Sequence, residues 1–364
     1  MAQLPPYDIY LRRPLVPFWS NYGVRSRKVL FVFGVGFDPR CIPALRVVGE
    51  LFSRRAELHT FCTRFTNLRD RQLRENSAYT AECLREIHRI LKGLSGRRFR
   101  HYEVEVNMFS EQGALIGDRL LLNEFKDCLG AKLGEYTDII VDISAFPRTL
   151  VFALLSYLWH ERRKETPMKN LFAVLTETPL SVTIKEGDHG RPTMLGENKL
   201  DRGASTLWIP VLGGALERFK KIKEYLEPLD IVPIIPFPAR LPRAGDDILL
   251  AAQNLFRDWD IPFGNVMYAS AENPFDVFRK IQDIVEKYRK VFGPQSAIVV
   301  SALSGRSLSL GVLLAALHSE LVMCHAQPKS YKIERRMRMQ LNSACKNVMP
   351  TLYWLDGELY RYEE

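Results

Sequence analysis

The chain spells one strand–loop–helix unit twice. Ile139 to Glu161 reads IIVDISAFPRTLVFALLSYLWHE, and Ile298 to Glu320 reads IVVSALSGRSLSLGVLLAALHSE, in step but for a one-residue gap in the loop. A short apolar run follows each, LFAVLT or LVMC. A similar polar stretch comes next, ETPLSVTI (Glu177 to Ile184) or AQPKSYKI (Ala326 to Ile333). Both copies read as a buried strand, a polar loop, an apolar helix and a further strand. A repeat of this size is one α/β unit used twice, so whatever place the fold offers a ligand is offered twice.

The segments between the copies keep the alternation. KVLFVFG, ELHTFCTRF, HYEVEVNMF, TDIIVDIS and NLFAVLT read as five strands of the first half, with helical periods between them. TLWIPVL, DIVPIIPF, NVMYAS, SAIVVSA and LVMC repeat the order in the second half. NPFDVF opens a helix with Asn273 as N-cap and Pro274 in its first turn. Five strands alternating with helices, twice, predict an α/β fold of two tandem Rossmann-like doubly wound parallel-sheet units, an internal duplication. The expected boundaries are an N-terminal arm over 1–27, a first unit over 28–184 and a Gly- and charge-rich linker over 185–205. A second unit then covers 206–333, and a C-terminal helix and hairpin cover 334–364, with Asp356-Gly357 as the hairpin turn.

Composition narrows the classes. There is no apolar run of about 18 residues and no secretory leader, so the expectation is a cytoplasmic protein with no membrane span. Six scattered cysteines without C-x-x-C, and seven histidines without ligand spacing, predict core thiols and neither a metal nor a cofactor. The excess of 51 Lys and Arg over 42 Asp and Glu favours an anionic partner, with nucleic acid as the lesser alternative.

In open parallel sheets ligands lie beyond the carboxyl ends of the strands. Three loops there are polar enough to matter. In GVGFDPR, Gly34 and Gly36 would let backbone approach a ligand, and Asp38 and Arg40 supply an acceptor and a forked donor; the alternative is a tight turn held by an Asp38–Arg40 pair. Pro39 stands where a dinucleotide fingerprint has its third Gly, which disfavours a nicotinamide or flavin enzyme. In DISAFPR, Asp142, Ser144 and Arg148 could grip a phosphate or ribose at a helix N-terminus, or Ser144 could cap the helix while Asp142 pairs with Arg148. In SALSGRS, Ser301, Ser304, Gly305 and Arg306 form an anion-nest candidate without a carboxylate. Thr176 and Glu177, after the fifth strand, could reach a sugar hydroxyl. No G-x-S-x-G or interpretable triad appears, and no catalytic residue is assigned.

DISAFPRTLVFALLSYL resembles the CARF family and its fused tandem relative, the SAVED domain, which are Rossmann-like sensors of cyclic oligonucleotides in bacterial immunity. Asp142, Ile143, Ser144 and Arg148 fall on that family's D-[IL]-T-G-G-T-[KR] loop, while Ala145, Phe146 and Pro147 replace its G-G-T. The resemblance implies a non-enzymatic binding or sensing protein for a phosphate-bearing, cyclic or linear nucleotide, acting in antiviral defence through a protein partner or a homo-oligomer. Two other readings stay open. One is an enzyme acting on nucleotides or nucleosides, with Asp142 or Asp38 as general base. The other is a scaffold subunit of a multiprotein complex.

Overall fold

The computed structural model describes residues 12–22, 27–52, 56–66, 71–94, 98–163, 170–178, 185–186, 189–195, 206–214, 216–239, 241–294 and 296–358. The chain opens with β1 (Arg12–Pro14) and α1 (Leu15–Tyr22). Then come β2 (Lys28–Val35), α2 (Cys41–Phe52), β3 (Glu57–Thr66), α3 (Arg71–Gly93), β4 (Phe99–Asn107) and α4 (Gly117–Leu129). β5 (Asp138–Asp142), α5 (Arg148–Arg163), β6 (Asn170–Leu175) and the short β7 (Lys185–Glu186) follow. The next stretch holds β8 (Thr193–Leu195), β9 (Thr206–Val211), α6 (Leu216–Leu226), β10 (Asp230–Ile231), β11 (Ile234–Pro236) and α7 (Ala244–Asp258). β12 (Met267–Ala269), α8 (Pro274–Phe292), β13 (Ala297–Ala302), α9 (Arg306–Ser319) and β14 (Val322–His325) continue it. β15 (Tyr331–Lys332), α10 (Arg335–Ala344) and β16 (Thr351–Asp356) end the chain.

Two compact units result, Met1–Asp188 with Pro328–Glu364, and His189–Gln327. In the first, β6, β5, β2, β3 and β4 lie side by side and parallel. Numbered along the chain, that is the order 3-2-1-4-5. In the second, β12, β11, β9, β13 and β14 repeat the same order, all parallel. Each sheet also gains an antiparallel strand beside its fifth, β16 on β6 and β8 on β14. The chain is therefore two tandem Rossmann-like units with the same winding. Right-handed crossovers send the helices to opposite faces where the order reverses, between the first and fourth strands.

Burial explains why these segments are strands. β5 and β6 are buried at every position, and β2 at all but Lys28, as central parallel strands covered on both faces must be. β4 is the edge strand, and its exposed face carries Glu103 and Glu105, which reach Arg64 on β3. In the second unit Gly311 of α9 allows close helix packing. A Cβ there would lie 2.0 Å from the Pro274 carbonyl oxygen and 2.3 Å from Val277 on α8. Among the described residues no helix is long and apolar enough to cross a membrane.

Several boundaries differ from expectation, each because a distant pairing wins over local pattern. Residues 12–22 of the expected arm belong to the first unit. β1 pairs with β16, and Trp19 packs its ring on Phe52 and Phe172. The expected linker contributes β7, which pairs with β15, and β8; residues 187–188 and 196–205 lie outside the described residues. The second unit ends at Gln327 instead of 333. Ile333 packs with Phe37, Leu341 and Cys345 of the first. Thr351–Asp356 joins β6 and β1 in the first sheet, and the expected hairpin's return strand falls largely on residues 359–364, outside the described residues.

Candidate functional site

The shared strand order puts the loops after the first and fourth strands next to each other in each unit. The two units fill that place differently.

In the first unit the place is occupied by aromatic rings. A Cβ on Gly34 would lie 2.8 Å from Cγ of Phe146, and one on Gly36 would lie 2.6 Å from Cε2 of Phe65. The two rings are 6.3 Å apart, and Phe146 is fully buried. The glycines thus admit side chains of their own unit, and the backbone approach expected for a ligand is taken by Phe146 and Phe65. Asp38 and Arg40 form the alternative pair. The Arg40 Nε donates to both carboxylate oxygens at 3.0 Å, Nη2 to one at 2.5 Å, and the Arg40 backbone N–H to Oδ1 at 3.0 Å. Burial opposes the charge on Arg40, but Asp38 more than offsets it, so the guanidinium stays above its usual range.

Asp142 holds its own loop. Its Oδ1 accepts the Ser144 backbone N–H at 2.8 Å and the Ser144 hydroxyl. Ser144 Oγ in turn accepts the Thr176 backbone N–H at 2.8 Å, tying the β5 loop to the end of β6. Ser144 is therefore a loop brace and not a helix cap. Arg148 opens α5, half-buried, and Glu177 is half-buried beyond Thr176, near enough to favour the Arg40 charge.

In the second unit the first-strand loop is also closed, but the fourth-strand loop carries an exposed glycine, Gly305. Ser301 is used up in the sheet. Its Oγ donates to the Cys324 carbonyl at 2.8 Å and accepts from Trp208 Nε1 at 3.0 Å, joining β9, β13 and β14. Gly213, after β9, abuts the other loop, and a Cβ there would lie 2.6 Å from the Leu303 carbonyl oxygen. Ser304 is buried. Gly305 is exposed, with no atom within 4 Å of a Cβ built on it, and its φ of −62° suits any residue. It is the N-cap of the 14-residue α9, which has no side-chain cap. Arg306 begins the helix half-buried; Ser307 is buried, and its Oγ has no hydrogen-bond partner. An uncapped helix start with an exposed glycine and an arginine beside it could, through its N–H groups and its charge, hold an anion.

Ser307 and Gly213 also stand at these strand-end loops, beyond the residues that pattern singles out. Both are visible in the sequence, Gly213 as the second-half equivalent of the glycine loop after strand one. No group of His, Cys, Asp and Glu among the described residues could hold a metal ion.

No family model and no curated protein matches the chain. Among solved structures, a putative UDP-N-acetylglucosamine 2-epimerase from Listeria monocytogenes is 10% identical, with 88% of this chain and 91% of that one covered at a TM-score of 0.23. A second UDP-N-acetylglucosamine 2-epimerase is 14% identical, with 78% and 79% covered at a TM-score of 0.22.

Proposed function

We propose that the chain is a binding protein for a phosphate-bearing nucleotide, held at the Ser304–Ser307 loop of the second unit. One observation carries this reading: the α9 N-terminus is uncapped beneath an exposed Gly305 with open space around it, at the switch point of a doubly wound sheet. Helix N–H groups there would face a phosphate, and Arg306 would add a charge-assisted bond. Asp38 and Asp142 each brace their own loop, so the reading is one of binding and not of general-base catalysis.

Thermal unfolding with a panel of linear and cyclic nucleotides tests it. At least one should raise the midpoint saturably. Arg306→Ala is expected to weaken that ligand by about 1.5–3 kcal/mol, the range for a hydrogen bond to a charged group. Gly305→Leu fits the backbone and the open space, so stability should stay within about 0.5 kcal/mol of the parent while the response disappears. Should no nucleotide shift the midpoint, or should Gly305→Leu respond in full, the site is wrong.

A further inference from the structure

A second place, in the first unit, is short of negative charge, and Pro39 of the loop after β2 borders it. α10 reads RRMRMQLNSA and packs near α3 in the first unit. Its Arg338 is 1% exposed, a burial that arginine tolerates only with partners. The partners are few. Nη2 reaches Glu82 at 3.4 Å and Cys83 Sγ at 3.4 Å, and the guanidinium carbon sits 5.3 Å from the Tyr79 ring centroid. Nε and Nη1 have no hydrogen-bond partner. Glu82 is about half exposed, so water screens what it returns.

Arg338 is one of the residues lining a cavity of about 520 Å³ between α2, α3 and α10. Arg46, Arg85, Arg89 and Lys346 line it too, making five cations with Arg338 against the two carboxylates of Glu82 and Glu86. Glu86 is already committed, to Arg46 at 3.0 Å and to Arg89 at 2.9 and 2.8 Å. The Cys345 thiol on the cavity wall is pushed up to about 12 by burial and then by Asp38, so it stays neutral and adds no negative charge. A buried guanidinium with spare donors, beside a cavity with surplus positive charge, is destabilising unless an anion completes it.

We propose that this cavity binds a compact, multiply charged phosphate group such as a pyrophosphate or the polyphosphate end of a nucleotide. Arg338 forms its floor, with Arg85 and Lys346 at its rim. The volume suits a ligand larger than a single phosphate. The site stands whether or not the second unit binds a nucleotide.

The test is calorimetric titration of inorganic pyrophosphate into the full chain carrying Gly305→Leu, at fixed ionic strength, which takes the second-unit loop out of the result. One saturable equivalent is expected. Arg338→Met, which keeps the volume and removes the charge, should weaken it about ten- to hundredfold. The surface pair Arg85→Ala with Lys346→Ala should weaken it several-fold without touching the core, so the outcome does not hang on how Arg338→Met folds. Absence of saturable heat, or equal affinity in both variants, overturns the site. Lower stability of Arg338→Met with unchanged affinity makes Arg338 a structural strut and also overturns it. Equal binding of citrate overturns the phosphate assignment.

Discussion

Phe146→Ala is expected to cost the first unit about 3–5 kcal/mol, the usual loss for emptying a buried phenylalanine site. The ring is fully buried in the loop after β5, set against Gly34 and near Phe65. Deleting it removes the transfer free energy and leaves a void between two loops whose positions are fixed by β2 and β5. Gly34 makes the prediction sharper. In the parent, Gly34→Ala drives a methyl to 2.8 Å from the Phe146 ring, so it should destabilise. Combined with Phe146→Ala the same methyl enters vacant space, and the double variant should be more stable than the two single losses summed. Urea unfolding of the four proteins reads this coupling directly. Additive losses would mean the ring and the glycine do not meet.

The other large effect lies at the opposite end of the same strand. Asp138 is fully buried at the start of β5 and accepts four hydrogen bonds. Two come from Arg27 Nη1 at 2.9 and 2.8 Å, one from the Thr137 hydroxyl at 2.6 Å and one from Asn170 Nδ2 at 2.9 Å. Arg27 also lies 4.1 Å from the Tyr22 ring centroid, and Asn170 accepts the Glu358 backbone N–H at 2.9 Å. One carboxylate thus joins β5, β6, α1 and the chain after β16. Asp138→Ala leaves a half-buried guanidinium without its counter-charge, and about 3–5 kcal/mol should be lost. Asp138→Asn keeps one acceptor oxygen and should lose less. Chemical denaturation of both variants checks the order, and equal losses would show that the charge is not what matters.

Both networks bear on what the sequence can reveal. TDIIVDIS and NLFAVLT are legible because a strand buried on both faces has to be a continuous apolar run. The duplication is legible for the same reason, and the common 3-2-1-4-5 order extends it to the whole of each unit. The return of residues 328–358 to the first unit is not legible. An antiparallel strand added beside β6 depends on partners far away in the chain, and local pattern offers only a hairpin. Gly357 is the residue that local pattern reads as the turn of that hairpin. A Cβ there, however, would lie 2.2 Å from Asn170 Oδ1 and 2.4 Å from Trp354 Nε1, so close packing explains it.

The site was legible in part. Loop positions follow from strand ends, and the polar residues there are conspicuous. Which of them are spent inside the protein depends on tertiary partners. Asp38 goes to Arg40, Asp142 to Ser144, and Ser301 to Trp208 and Cys324. The sequence reads Gly34 and Gly36 as room for a ligand, although the rings that fill that room stand in the same sequence at Phe65 and Phe146. The basic cavity draws on three helices, and its buried Arg338 is one of a run of arginines that pattern alone assigns to solvent.

Hydrogen exchange of the second unit, with and without a saturating nucleotide, addresses the central claim most directly. Phosphate held on the α9 N-terminus must slow exchange at the backbone N–H groups of Gly305 to Leu308, because those groups would be donating to it. The predicted result is protection in the peptide spanning Ser301–Leu310, absent from the Gly305→Leu protein. Protection elsewhere, with this peptide unchanged while nucleotide is bound, would contradict the account.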